Sequence, residues 1–201
     1  GPDNGLNHVG SDKKADCKDC LGGRYLERVG AFGSSSQRCQ ACPSGFAQKD
    51  GGRAFCLPCA PGTYASQEGV SVCVPCTVGR ASANLSRTTP CDVCLAGFHQ
   101  PESGMTACLD CIPGKFQSLV EQIDCIDCSS GYYTDKRNLK ECYECPVGYY
   151  ARKQEYDRCD SCPRGKFGIM TKAKNVMEGC QNCTKGKYSE LEALSKAGDC
   201  K

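Results

Sequence analysis

The stretch Cys59-Ala60-Pro61-Gly62-Thr63-Tyr64-Ala65-Ser66-Gln67-Glu68-Gly69-Val70-Ser71-Val72-Cys73-Val74-Pro75-Cys76 is one unit of a repeat. Pairs of the form C-x-x-C begin at Cys17, Cys39, Cys56, Cys73, Cys91, Cys108, Cys125, Cys142, Cys159 and Cys180, and Cys200 stands alone. The central steps are 17 or 18 residues, the outer ones 20 to 22, so the period belongs to a solenoid-like array of small units. A second register coincides with the first. The third residue after each second cysteine is glycine: Gly23, Gly45, Gly62, Gly79, Gly97, Gly114, Gly131, Gly148, Gly165 and Gly186. Two places further on, seven repeats carry Tyr or Phe, among them Tyr64, Tyr150 and Phe167, while Phe46 and Phe98 sit one place earlier and the Arg80-Ala81 repeat has no ring.

Composition explains why sulfur must dominate. Leu, Ile, Val and Phe together supply 31 of 201 residues, too few for one large core, whereas cysteine supplies 21. The chain is therefore expected to be a small disulfide-rich fold: an elongated rod of about ten tandem hairpins of ~17 residues, each closed by one bridge. A hairpin-layer spacing of ~10 Å per unit would give a reach of ~100 Å. Residues 1–16 are read as a flexible N-terminal tail and 17–201 as the repeats. Gly-Pro at the start is either a protease scar or simply the first residues of a mature segment or fragment.

Within a unit, the fixed glycine provides a positive φ or a close backbone approach, and the ring covers a disulfide as a miniature core. Asp50-Gly51, Glu68-Gly69, Ser103-Gly104 and Arg137-Asn138 mark the hairpin turns, four or five residues before the next cysteine. Gly33-Ser34-Ser35-Ser36 reads as a flexible loop. Little regular secondary structure is expected, apart from one short helix near the C-terminus, capped by Ser189 with Glu192, running over Leu191-Lys196 and closed by Gly198.

Repeated C-x-x-C also suits zinc knuckles or redox centres. The residue after each second cysteine is never glycine, and neither His8 nor His99 stands at a ligand spacing, so no metal or other cofactor is assigned. Ten pairs without a strand-to-helix context do not make a thioredoxin-like site. A structural disulfide framework remains, placing the chain outside the cell, at its surface or in the secretory pathway. Two connectivities are compatible with the spacing. A ladder joins Cys20 to Cys39, Cys42 to Cys56, Cys59 to Cys73, Cys76 to Cys91, Cys94 to Cys108, Cys111 to Cys125, Cys128 to Cys142, Cys145 to Cys159, Cys162 to Cys180 and Cys183 to Cys200, leaving Cys17 over. A crossed scheme joins repeats two by two and leaves Cys200 over. The ladder is preferred because it makes every unit equivalent.

At Cys59-Ala60-Pro61-Gly62-Thr63-Tyr64 and Cys145-Pro146-Val147-Gly148-Tyr149-Tyr150, the chain resembles the ephrin-receptor-like cysteine-rich repeats of extracellular proteins, themselves similar to the single-bridge submodule of tumour-necrosis-factor-receptor domains. The resemblance runs from Cys17 to Cys200 and implies the ladder pairing and a non-enzymatic extracellular role. Receptor domains of the latter kind interleave a second, crossed two-bridge submodule, whereas here one unit repeats, which argues against a cytokine-like ligand.

Function classes narrow accordingly. A net charge of +2 gives no general nucleic-acid binder, and no apolar run is long enough to insert in a membrane. No nucleophile and base assemble, and His99 reads as an exposed loop residue, so no enzyme is expected. The expected function is a structural or interaction rod, such as a surface spacer, adhesin stalk or fibre subunit, with protein partners that include self-association. A receptor ectodomain and an intracellular zinc-thiolate array are the alternatives. Asn84 (Asn84-Leu85-Ser86) and Asn182 (Asn182-Cys183-Thr184) are glycosylation acceptors, the second the poorer because its middle residue is bridged. Between Ala151 and Lys187, nine basic residues against four acids could meet an acidic glycan, and Tyr143, Tyr149 and Tyr156 could offer a lateral protein contact.

Overall fold

The computed structural model describes residues 20–29, 36–153 and 156–201. Cys17, His8, the tail at 1–16 and Gly33–Ser35 lie outside the described residues, while Ser36 opens a strand. Among the described residues, eighteen strands form nine two-stranded sheets, each pairing strands adjacent in the chain. The longest hairpin pairs β1 (Arg24–Val29) with β2 (Ser36–Ala41), whereas most others, such as Thr63–Tyr64 with Val74–Pro75, pair two residues with two. All ten bridges follow the ladder: Cys20–Cys39, Cys42–Cys56, Cys59–Cys73, Cys76–Cys91, Cys94–Cys108, Cys111–Cys125, Cys128–Cys142, Cys145–Cys159, Cys162–Cys180 and Cys183–Cys200. Each hairpin is thus one disulfide ring, and the fold is small and disulfide-rich. The described chain divides into two compact units, one within residues 1–92 and 103–107, the other within 93–102 and 108–201.

In the first unit, successive repeats are joined by three backbone rails. The fixed glycine donates its N–H to the residue after the next repeat's aromatic position, as in Gly45 to the Ala65 carbonyl (2.8 Å) and Gly62 to the Ser82 carbonyl (2.7 Å). That residue in turn donates to the far side of the following turn, as in Ala65 to Arg87 (3.0 Å). The third rail runs backwards, from the turn to the preceding cysteine: Gly69 to Cys42 (2.8 Å), Ser86 to Cys59 (2.9 Å) and Gly104 to Cys76 (2.7 Å). The second unit repeats the scheme, with Gly97 to Gln117, Gln117 to Leu139 and Asn138 to Cys111 at 2.7, 3.1 and 3.0 Å. Backbone groups that so short a hairpin would leave unpaired are thereby satisfied between repeats.

The fixed glycine has a second duty. Gly62 has φ +82°, and a Cβ there would lie 2.0 Å from the Gly104 carbonyl oxygen, which belongs to the turn two repeats on. Gly131 is placed likewise beneath Lys172 of the second unit, at 2.3 Å. Most described turns therefore present a left-handed residue whose N–H reaches the previous repeat and whose carbonyl caps the one before that. Gly69 and Gly104 take this conformation easily. Ser86, Glu121, Asn138, Lys172 and Ala193 take it at φ between 53° and 62°, a cost met by the hydrogen bond to the cysteine carbonyl.

The residue after the aromatic position forms a buried column. Gln48, Ser82, Gln100, Gln117 and Thr134 are buried there, each at most 4% exposed, although every one is polar. Their side chains brace their surroundings. Gln117 donates to the Asp124 carbonyl (2.8 Å) and accepts from the Leu119 N–H (3.1 Å), and Gln48 does the same with Phe55 and Asp50. The Thr134 hydroxyl accepts from the Gly114 N–H at 2.7 Å.

The helix falls elsewhere than expected. It spans Val176–Gly179, where the Asn175 side chain accepts from the N–H groups of Met177 and Glu178. Leu191–Lys196 is not helical. Ser189 closes a local turn on Leu191, Ala193 takes φ +60° to donate to the Cys162 carbonyl, and only Ala197–Asp199 forms a 3-10 turn. The capping signal was outcompeted by the inter-repeat bond that every turn makes.

Candidate functional site

The chemistry-bearing feature of this chain is the row of bridges and what lies on them. From Cys20 to Cys162 the second cysteine of each C-x-x-C is buried, at 0–1% exposure, while Cys183 is half-buried; the bonded partner is more open at most rungs. Over the bridge lies the aromatic position of the preceding repeat. Tyr150 packs with Cys162, Ala173 and Cys180, the bridge of the next repeat, and Phe167 packs with Leu194, Cys200 and Cys183. The ring thus covers its neighbour's disulfide, a relation that cysteine spacing could not disclose.

In the Cys94–Cys108 repeat, Phe98 sits one place early and His99 occupies the covering position. His99 is half-buried in the strand Phe98–His99, not an exposed loop residue, and its Nδ1 lies 3.1 Å from Cys125 Sγ. Cys111, His99 and Cys125 form a cluster whose ligating atoms all lie within 4.8 Å of one another. Both sulfurs are consumed by the Cys111–Cys125 bridge, so the cluster offers no thiolate to a metal.

One turn is held by charge. Arg87, with its side chain 11% exposed, forks onto both carboxylate oxygens of Asp92 at 2.7 and 2.9 Å, and also donates to the carbonyls of Thr89 and Pro90 and to Ser82 Oγ. The Arg87 hydrogen bonds hold the Asp92 carboxyl below its ordinary range against a smaller opposing desolvation.

Against this geometry, residues 30–71 and 131–178 match the family model described as tyrosine-protein kinase ephrin type A/B receptor-like. These segments are ephrin-receptor-like repeats. No curated relative matches the chain. A disulfide ring with the same glycine also recurs outside the matched segments, and the Cys94–Cys108 repeat between them keeps the same rails, with Gly97 donating to Gln117, Gln100 to Gln122 and Gly104 to Cys76. Such repeats and their disulfides suggest an extracellular interaction module.

The remaining sequence-derived residues are exposed or half-buried. Asn84 is exposed in a turn, and Asn182 is exposed in the strand Cys180–Asn182, where it accepts from Lys166. Of three tyrosines offered for lateral contact, Tyr143 is exposed, Tyr149 is half-buried, and Tyr156 is half-buried with its hydroxyl donating to Asp160. The basic stretch is partly neutralised: Lys172 pairs with Glu144 at 2.8 Å beside the Tyr132 ring, and Arg152 pairs with Asp160 at 3.5 Å. The Glu144 hydrogen bond, with help from Tyr132, raises the Lys172 pKa. Sequence reading missed the exposed column immediately after the first cysteine of each pair, where Leu57 and Val74 in the first unit, and Leu109, Ile126 and Tyr143 in the second, are 44–56% exposed. The signal was present as a fixed offset, of which only Tyr143 was singled out for lateral contact. No helix among the described residues is long and apolar enough to cross a membrane.

Proposed function

We propose that this chain is a non-enzymatic extracellular spacer: a rod of ephrin-receptor-like repeats, serving as stalk, adhesin segment or fibre subunit, that binds proteins, including its own copies, along its side. The carrying observation is a division of labour within each repeat. Bridges close each repeat and backbone rails hold neighbouring repeats together, which leaves the strand position after the first cysteine of a pair to display apolar side chains to a partner. Leu109, Ile126 and Tyr143 make such a stripe over three consecutive repeats. Asn84 carries a glycan in this reading, and the basic residues around Lys153 and Lys185 offer a secondary contact for an acidic glycan.

Sedimentation velocity across a wide concentration range, with electron microscopy of the same samples, tests the reading. Elongated particles that associate, and whose association is lost in a Leu109→Lys/Ile126→Lys variant, are expected. Compact particles, or a strict monomer at every concentration, would defeat it. Expression through a eukaryotic secretory pathway should add one glycan, removed by Asn84→Gln.

A further inference from the structure

The covering position carries Tyr150 over one bridge and Phe167 over another, and in one repeat it carries a histidine. His99 is the one histidine among the described residues. Its Nδ1 stands 3.1 Å from Cys125 Sγ. An open pocket of about 280 Å³ reaches the same sulfur, lined by His99, Asp110, Ile112, Lys115, Asp124 and Cys125. Cys125 is half-buried and lines that pocket, whereas Cys111 is fully buried behind it.

We propose that the Cys111–Cys125 bridge, with His99 as its acid–base partner, is a specific thiol-exchange site for a small aminothiol. With the ring proton on Nε2, Nδ1 accepts the proton of the incoming thiol. The resulting thiolate attacks Cys125 Sγ, the sulfur facing the pocket, and forms a new S–S bond. The Cys111–Cys125 bond breaks, its electron pair stays on Cys111, and the imidazolium returns the proton there. One thiol is consumed and one is produced, so the exchange requires no outside oxidant. Pocket size sets the class of the thiol, since about 280 Å³ suits only a small ligand. Charge sets its sign: Asp110 is paired with Arg137 at 3.9 Å and the Lys115 ammonium with Asp127, while the Asp124 carboxylate also lines the cavity, so an ammonium-bearing thiol is favoured over a carboxylate-bearing one.

Other rungs lack this combination. Tyr150 and Phe167 cover the Cys162–Cys180 and Cys183–Cys200 bridges, where no imidazole stands beside the sulfur. The inference stands apart from the spacer role: an exchangeable rung would mark one repeat within an otherwise inert ladder, whatever the array binds.

The test uses the oxidised protein with cysteamine at low concentration, acid quenching, alkylation and non-reducing peptide mapping. A cysteamine adduct on Cys125 with alkylated Cys111, before any other bridge opens, is expected. His99→Phe restores the lid used by other repeats and removes the proton carrier. It should slow exchange at this rung at least tenfold while leaving Cys59–Cys73 and the melting temperature unchanged. His99→Gln should slow it similarly. Bridges opening in no order, adducts first at another rung, or wild-type exchange in both variants would overturn the proposal. Equal rates with 3-mercaptopropionate would overturn the aminothiol assignment. None of these outcomes depends on whether the array self-associates.

Discussion

At the scale of single residues, the fixed glycine combines two constraints that substitution can separate. Gly62 is left-handed and lies beneath the Gly104 carbonyl, whereas Gly186 is left-handed, φ +86°, with nothing within 4 Å of where a Cβ would stand. Gly186→Ala should therefore cost only the conformational penalty, about 1 kcal/mol. Gly62→Ala must also displace a turn and should cost about 2–4 kcal/mol, read as a clearly larger fall in thermal midpoint. Equal effects would mean that the turn two repeats away adds nothing. Glycine's ten-fold recurrence was plain in the sequence, but its reason was half hidden, because the atom it makes room for lies some forty residues downstream. His99 was misjudged for a similar cause: its register within the unit, two places after Gly97, said more than its residue type.

The Arg87–Asp92 clasp gives a titration prediction at the same scale. A carboxyl with a lowered pKa in the folded protein contributes its stabilisation in full above the unfolded-state value and loses it as pH falls through the folded one. The Asp92 carbon resonance should thus titrate below the ordinary carboxylate midpoint. Arg87→Lys, which cannot keep the fork, should move that midpoint upward. An unchanged midpoint would show that the fork does not persist in solution.

At the scale of the hairpin, stability rests on a buried polar residue rather than on apolar area. Gln117 is 2% exposed and uses both ends of its amide on its own ring of chain, against the Asp124 carbonyl and the Leu119 N–H. Gln117→Leu should fill the space yet destabilise by about 1–2 kcal/mol, because the Asp124 carbonyl and the Leu119 N–H would both lose their side-chain partner. Faster amide exchange at Leu119 would localise the damage, and an unchanged rate with unchanged stability would refute the role. Nothing in the sequence advertised this column, since Gln, Ser and Thr after an aromatic residue resemble a solvated strand edge. The hairpins themselves were legible, because cysteine spacing and turn dipeptides are local signals. The helix was misplaced for the opposite reason: a local cap at Ser189 yielded to the longer-range bond from Ala193 to Cys162.

At the scale of the molecule, bridges and rails are redundant in a measurable way. Closing a ring of about 15 residues contributes on the order of 3 kcal/mol in the chain-entropy model. Replacing Cys59 and Cys73 together by serine should lower the denaturation midpoint without abolishing folding, because Ser86 still reaches the Cys59 carbonyl and Gly104 still caps Gly62. Circular dichroism with guanidinium would read the shift, and complete loss of structure would show that the rails depend on each bridge individually. Full reduction removes every ring at once and should unfold the array.

Between consecutive rings the chain has only two free residues, such as Leu57–Pro58 between Cys56 and Cys59, or Ile126–Asp127 between Cys125 and Cys128, and these are held in strands. Most peptide bonds from Cys20 to Cys200 therefore lie inside a closed loop. A protease that cuts at an exposed turn severs the backbone yet releases nothing, for the two ends stay joined through sulfur. Wear on such a molecule would accumulate silently in a harsh extracellular setting, many cuts coexisting with full length, and fragments would emerge only when the rungs are chemically opened.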